Sequence, residues 1–323
     1  MDYLVLALGL VVLVFAADWF VDGASAIAKN FGVSPLLIGL TIVGLGTSAP
    51  EILVSSIASF QGNPGLAIGN AIGSNIANMG LILGCTALIA PLAFHSGLLR
   101  RELPVLMLIS IFCYVLALDG LSVLDGIFML LALVAFLYWL IRSGIKARNN
   151  QDILTQEIED ELPNALPTKK AWIYLVVGLV GLLISSKVLV WAAVNIAHTM
   201  GVSDLVIGLT IVALGTSLPE LAASISSVLK GEDDLAIGNV IGSNVYNLLA
   251  VYSLPALIAP GLVESSVLER DFPVLLAFTA VLFLLGASFV KLGKINRWEG
   301  AGLLSAYLYY QWVIYQSTLV VAA

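Results

Sequence analysis

Gly39-Leu-Thr-Ile-Val-Gly-Leu-Gly-Thr-Ser-Ala-Pro-Glu51 recurs 169 residues later as Gly208-Leu-Thr-Ile-Val-Ala-Leu-Gly-Thr-Ser-Leu-Pro-Glu220. Further on, Ala67-Ile-Gly-Asn-Ala-Ile-Gly-Ser-Asn-Ile-Ala-Asn78 returns at the same offset as Ala236-Ile-Gly-Asn-Val-Ile-Gly-Ser-Asn-Val-Tyr-Asn247. Over 39–80 against 208–249, 23 of 42 pairs are identical with no gap, so the chain is built on an internal duplication. Both copies lie in strongly apolar surroundings. The chain is 60% hydrophobic and 11% charged, with mean hydropathy +1.03, whereas a soluble domain carries about 25% charged residues. That much apolar surface needs lipid as its solvent.

Apolar runs of roughly 17–25 residues, the length of a bilayer-spanning helix, recur along the chain. The alternating ten-residue or so segments of a membrane barrel do not. Ten spans are expected, near 3–28, 34–59, 66–90, 103–118, 125–142, 171–198, 203–229, 235–259, 272–289 and 298–319. The hydrophilic interval 143–170 reads as a linker. It divides the chain into a first five-helix repeat, 1–142, and a second, 171–323. An odd number of spans per copy inverts the second copy relative to the first, a recurring plan of transporters. The fold class expected is all-α integral membrane, with helices two and seven discontinuous.

Basic residues give the orientation. With both termini outside and the 143–170 loop cytoplasmic, 12 of the 14 Lys and Arg residues fall in cytoplasmic loops, as the positive-inside bias requires. Met1-Asp2-Tyr3 lacks the basic start of a cleaved leader, so its apolar run reads as the first span. The location implied is the cell membrane. No basic block suggests nucleic acid, and Cys85 and Cys113 show neither disulfide nor zinc spacing. No cofactor and no obligate protein partner are indicated; the partner implied is the bilayer.

The chemistry lies in the duplicated Gly-Thr-Ser-x-Pro-Glu. Pro50 and Pro219, each inside a span, remove a backbone donor and free carbonyls near Gly46 and Gly215. Gly44 and Gly46 loosen the same turn. A charge at the bilayer centre costs about 2.5–3.5 kcal/mol even on the lenient insertion scale, so Glu51 and Glu220 call for neutralising cations or protons. Hydroxyls of Thr47, Ser48, Thr216 and Ser217 add neutral oxygens. Ser74, Asn78, Ser243 and Asn247 on spans three and eight can complete an all-oxygen shell, suited to Ca²⁺, Na⁺ or protons rather than to zinc or copper. A competing reading makes Ser48-Ala-Pro-Glu51 and Ser217-Leu-Pro-Glu220 capping boxes that restart a broken helix. Gly69/Gly73 and Gly238/Gly242 read as small-residue packing seams that bring helix three close to helix two. Asp18 and Asp22 share a face of span one, and Lys187, 169 positions after Asp18, reads as an ion-pair partner in span six.

The paired motifs resemble those of the calcium/cation antiporter superfamily, which includes the sodium/calcium exchangers, and the ten-span plan extends the resemblance to nearly the whole chain. The resemblance implies sites between helices two, three, seven and eight. Glu51 and Glu220 would be shared ligands for Ca²⁺ and Na⁺. Thr47, Ser48, Ser74 and Asn78 would join from one repeat and Thr216, Ser217, Ser243 and Asn247 from the other. Carbonyls of Gly44 and Ala213 would serve outlying Na⁺ sites, and helices one and six would slide across the core. Many sodium/calcium exchangers carry aspartate where Asn247 stands. A fixed charge of −2, from Glu51 and Glu220, points to fewer than three Na⁺ per Ca²⁺ or to relaxed cation selectivity. The leading expectation is Ca²⁺/Na⁺ antiport, with no enzymatic activity. A proton/calcium antiporter, a passive cation channel and an intramembrane protease remain as alternatives.

Overall fold

The computed structural model describes residues 2–93, 99–149, 166–199, 213–286 and 294–321. With no water in the hydrocarbon region, backbone groups must be satisfied within each spanning segment, and the chain answers with helices. Span one is α1 (Asp2–Phe31). Span two is a bent pair, α2 (Leu36–Thr47) and α3 (Ala49–Phe60), meeting at 43° across Ser48. Spans three to six are α4 (Pro64–Ile89), α5 (Leu99–Ala117), α6 (Val123–Asn149) and α7 (Thr168–Thr199). Span seven is seen as α8 (Ala213–Thr216) and α9 (Leu218–Leu229); its earlier part, 203–212, lies outside the described residues. Span eight is α10 (Asp233–Ile258). A π-helical turn, Val267–Asp271, leads into α11 (Phe272–Gly286), and α12 (Arg297–Val321) closes the set.

The interval read as linker is helical at both ends. α6 continues to Asn149 and α7 begins at Thr168, because Ile145 to Arg148 are adequate helix formers despite their charge. Residues 150–165 lie outside the described set.

α1, α4, α6, α7 and α10 are each long and apolar enough to cross a bilayer unbroken, and the α2–α3 pair makes a sixth crossing. Phe15, Leu53, Leu108, Leu131, Ile184 and Leu284 are more than half exposed on their outer faces, the surface that lipid covers. Inside, one large apolar cluster joins α4, α5, α6, α10, α11 and α12 through Met79, Cys113, Leu248, Phe272 and Tyr307. A separate cluster, around Phe20 and Leu175, joins α1 to α7. There the two backbones touch: an ideal Cβ on Gly23 would lie 2.4 Å from the Leu175 nitrogen, and one on Gly178 would lie 2.4 Å from the Phe20 nitrogen. Only glycine fits such an approach.

Short backbone staples tie the two ends of the bundle. Strand β1 (Leu92–Ala93) pairs antiparallel with β2 (Lys294–Ile295). At the other end, Leu121 and Gly261 exchange hydrogen bonds of 2.8 and 2.9 Å.

The glycine seams differ from expectation. Cβ atoms on Gly238 and Gly242 would fall 2.6 Å from the Leu36 carbonyl oxygen and 2.7 Å from that of Leu40. This seam therefore joins α10 to α2, across the two repeats, rather than a helix to its own neighbour. Around Gly69 and Gly73 on α4 no described residue comes within 4 Å of an ideal Cβ. Both line a cavity of about 400 Å³ with Asn70, Asp271 and Tyr310. Among the described residues, one repeat's seam is closed and the other's is open.

Candidate functional site

Ser48 (φ −79°, ψ 5°) and Ser217 (φ −91°, ψ 4°) leave the helical region, and Pro50 and Pro219 open α3 and α9 in their first turns. Proline is tolerated there because the missing N–H would have had no intrahelical partner. Each break delivers its glutamate to the interior: Glu51 and Glu220 are both fully buried.

The capping reading fails at both serines. Neither side chain caps its helix. The Ser48 hydroxyl donates to Glu220 Oε1 at 3.3 Å, and the Ser217 hydroxyl donates to Glu51 Oε1 at 3.4 Å. Each repeat thus serves the carboxylate of the other. Thr216, Ser217 and Ser74 hydroxyls flank the Glu51 carboxylate, and those of Thr47 and Ser48 flank Glu220. The second oxygen of each glutamate, Oε2, is buried with no hydrogen-bond partner among the described residues. Orphaned buried carboxylate oxygens are costly unless something cationic meets them.

Helices α4 and α10 bring the remaining groups. Asn78 and Asn247 each begin a π-helical turn, Asn78–Ile82 and Asn247–Val251, and such wide turns mark functional positions inside helices. Asn78 Nδ2 donates to Asn244 Oδ1 at 3.1 Å, while Asn78 Oδ1 and both amide atoms of Asn247 are buried without partners among the described residues. The Ser243 hydroxyl donates to the Gly44 carbonyl at 3.3 Å and lies 3.4 Å from the Thr47 hydroxyl. Gly44 itself is held against α10, where an ideal Cβ would meet the Ser243 nitrogen at 3.0 Å. Its glycine identity answers this close packing as well as the break. Ala213 opens α8. Glu51, Glu220, Thr47, Ser48, Ser74, Asn78, Thr216, Ser217, Ser243 and Asn247 are all buried.

Several participants were missed. Asn70 Nδ2 donates to the Glu51 carbonyl at 3.1 Å and to Ser55 Oγ at 2.9 Å; Asn239 Nδ2 donates likewise to the Glu220 carbonyl at 3.3 Å and Ser224 Oγ at 3.1 Å. These amide clamps bind α4 to α3 and α10 to α9. The signal was present, since both asparagines belong to the duplicated Gly-Asn, of which only the glycines were given a role. The carbonyl that Pro219 frees at Gly215 is taken by the Ser186 hydroxyl of α7 at 2.7 Å.

The ion pair expected between Asp18 and Lys187 does not form. Asp22 pairs with Lys230 at 2.8 Å, and Asp18 pairs with Lys230 at 3.6 Å and accepts from the Ser226 hydroxyl at 2.6 Å. These contacts tie α1 to the end of α9. Lys187 instead lines a largely apolar cavity of about 440 Å³ with Pro50, Trp191 and Thr216.

The arrangement is two buried carboxylates, one from each repeat, set among hydroxyl and amide groups drawn from both repeats. The family model described as sodium/calcium exchanger protein matches residues 1–142 and 170–316. The chain belongs to the sodium/calcium exchanger family. This exchanger is 48% identical over 310 residues to the putative antiporter CaxA of Alkalimonas amylolytica, covering 96% of this chain and 97% of that one. It is 33% identical over 348 residues to the sodium/calcium exchanger MaX1 of Methanosarcina acetivorans, covering 97% and 98%. Its structure is similar to that of the sodium-calcium exchanger NCX_Mj soaked with Na⁺ and Ca²⁺, with TM-score 0.82, 35% identity and 95% and 96% of the two chains covered. The exchanger is accordingly an all-α, ten-helix membrane protein of two inverted five-helix repeats with discontinuous helices. It is a secondary-active antiporter of Ca²⁺ and Na⁺ working by alternating access, not an enzyme. Channel and protease readings are set aside with that membership.

Proposed function

We propose that one shared chamber binds Ca²⁺ and Na⁺ in turn, with Glu51 and Glu220 as common ligands. Thr47, Ser48, Ser74, Asn78, Thr216, Ser217, Ser243 and Asn247 supply neutral ligands, and the carbonyls of Gly44 and Ala213 serve flanking Na⁺. The observation that carries this reading is the reciprocal arrangement of the two buried glutamates, each flanked by the other repeat's hydroxyls and each with an oxygen left unmet by the described residues. Emptied of cations, the chamber holds two like charges away from water, so the protein cannot reorient empty and exchange becomes obligatory.

With amides at 78 and 247 the fixed charge is −2, which one Ca²⁺ or two Na⁺ balances; fewer than three Na⁺ per Ca²⁺ follows. The repeats comprise 1–142 and 171–323, joined through 143–170. The distribution of Lys and Arg supports both termini outside the cell membrane, with the central connection in the cytoplasm. The test is ⁴⁵Ca²⁺ uptake by proteoliposomes loaded with Na⁺, Li⁺, K⁺ or protons, beside Glu51→Gln. Uptake driven by internal Na⁺ and lost in the variant is expected. Uptake driven only by a pH gradient would replace Na⁺ by protons as the coupled ion, and uptake with no counter-ion would refute exchange.

A further inference from the structure

Asn239 lies one turn before Ser243 on α10 and is 1% exposed. Its amide nitrogen faces two oxygens, the Glu220 carbonyl and Ser224 Oγ. The reverse orientation would set the amide oxygen against a carbonyl oxygen, so the rotamer is fixed by its partners. Oδ1 then faces Thr47 Oγ1 at 3.0 Å. An amide oxygen has no proton to give, and Thr47 must donate. That single proton is shared with longer contacts on the Thr47 helix itself, the Val43 carbonyl at 3.1 Å and the Gly44 carbonyl at 3.5 Å, while the Ser243 hydroxyl, 3.4 Å away, donates to Gly44. With its proton engaged by these acceptors, Oγ1 has lone pairs free for a cation held at the Glu220 carboxylate, which it flanks.

We propose that Asn239 is a positioning residue for transport: it holds the Thr47 proton, makes that hydroxyl a neutral cation ligand, and so sets the affinity for Na⁺ relative to Ca²⁺. The inference rests on the ligand assignment above. Na⁺ gains half as much as Ca²⁺ from each carboxylate charge, so neutral oxygens form a larger share of its binding. Losing one of them bears harder on Na⁺. Asn70 repeats the donor bonds of this clamp in the first repeat, yet it borders the open cavity while Asn239 is sealed.

The test uses the purified full-length protein, with ⁴⁵Ca²⁺ binding measured at equilibrium and in competition with Na⁺. Asn239→Ala is expected to weaken apparent Na⁺ affinity by about three- to tenfold, the loss of one net hydrogen bond, and Ca²⁺ affinity by a smaller factor. Thr47→Val should shift the Na⁺/Ca²⁺ ratio the same way, and the double variant should be no worse than the more severe single one. Asn239→Ser keeps a polar group by the Glu220 carbonyl but is too short to reach Thr47. It should behave like Asn239→Ala and serves if the alanine variant does not fold. Equal losses for both ions, or additive losses in the double variant, would reduce Asn239 to a packing residue and overturn the proposal. A parent protein that binds neither ion would instead overturn the ligand assignment beneath it.

Discussion

Gly73→Ala and Gly242→Ala are one substitution at two repeat-related positions, and the molecule should answer them differently. At Gly242 the new methyl would lie 2.7 Å from the Leu40 carbonyl oxygen and 2.9 Å from its Cα, backbone atoms that cannot swing aside. Overpacking of this kind costs about 1–3 kcal/mol. Alanine's better helix propensity returns about 0.8–1.0 kcal/mol, leaving a net destabilisation of roughly 0–2 kcal/mol. At Gly73 the methyl meets nothing within 4 Å among the described residues. Only the propensity gain acts there, and the folded protein should be as stable as the parent or slightly more so. Function should still suffer. In alternating access between inverted repeats, the side now open must reach the closeness of the side now shut. The shut seam at Gly238 and Gly242 has no room for a methyl, so the face at Gly69 and Gly73 will have none once it closes. A cost of about 1–3 kcal/mol in that state lowers its population by about 5- to 150-fold. Thermal melting in detergent and ⁴⁵Ca²⁺ uptake by proteoliposomes measure the two effects. Gly73→Ala should melt at or above the parent temperature and exchange at least about fivefold more slowly, while Gly242→Ala should melt lower. A Gly73→Ala protein exchanging at the parent rate would refute the reasoning.

Lys230→Met severs the pairs with Asp18 and Asp22, whose side chains are 44% and 45% exposed beside a lysine at 28%. At that exposure each pair contributes about 0.2–1 kcal/mol, so a small fall in melting temperature is expected, shrinking at high salt; Lys187→Met should show no such salt-dependent fall. Asn247→Asp removes no hydrogen bond to a described residue, since both amide atoms lack partners among them, but adds a third negative charge. Reversal potentials in proteoliposomes should then report more Na⁺ moved per Ca²⁺, and an unchanged coupling ratio would show that residue 247 does not set it.

The spans, the breaks and the two glutamates were legible because each rests on a local rule repeated twice: apolar length, proline within a span, an acid beside it. What could not be read was which copy serves which. Ser48 and Glu51 are three residues apart and fit a capping box, yet the fold sends the hydroxyl to Glu220 in the other repeat. The seam glycines gave the same difficulty, since Gly238 and Gly242 pack on Leu36 and Leu40 across the duplication. The error at Asp18 has a sharper cause. Residues at equal positions in inverted repeats are related by an axis in the membrane plane, so Asp18 and Lys187 stand at opposite depths unless both lie at the midplane. Equivalence in sequence made them look like partners, whereas inversion separates them and leaves Lys230, 212 residues away in the chain, beside Asp18.

The contact of α1 with α7 bears on how well the protein can hold a gradient. Gly23 and Gly178 let the two helices meet backbone to backbone, and helices locked at that distance cannot slip past one another without collision. They behave as a single yoke with one arm from each half of the molecule. In the sliding across the core expected of helices one and six, a displacement that withdraws the yoke from one entrance pushes it over the other. A transporter with independent gates must rely on timing to avoid opening both at once, and each lapse would short-circuit the membrane. A yoke removes the lapse mechanically, so the leak is limited by the stiffness of two helices rather than by the coordination of two events.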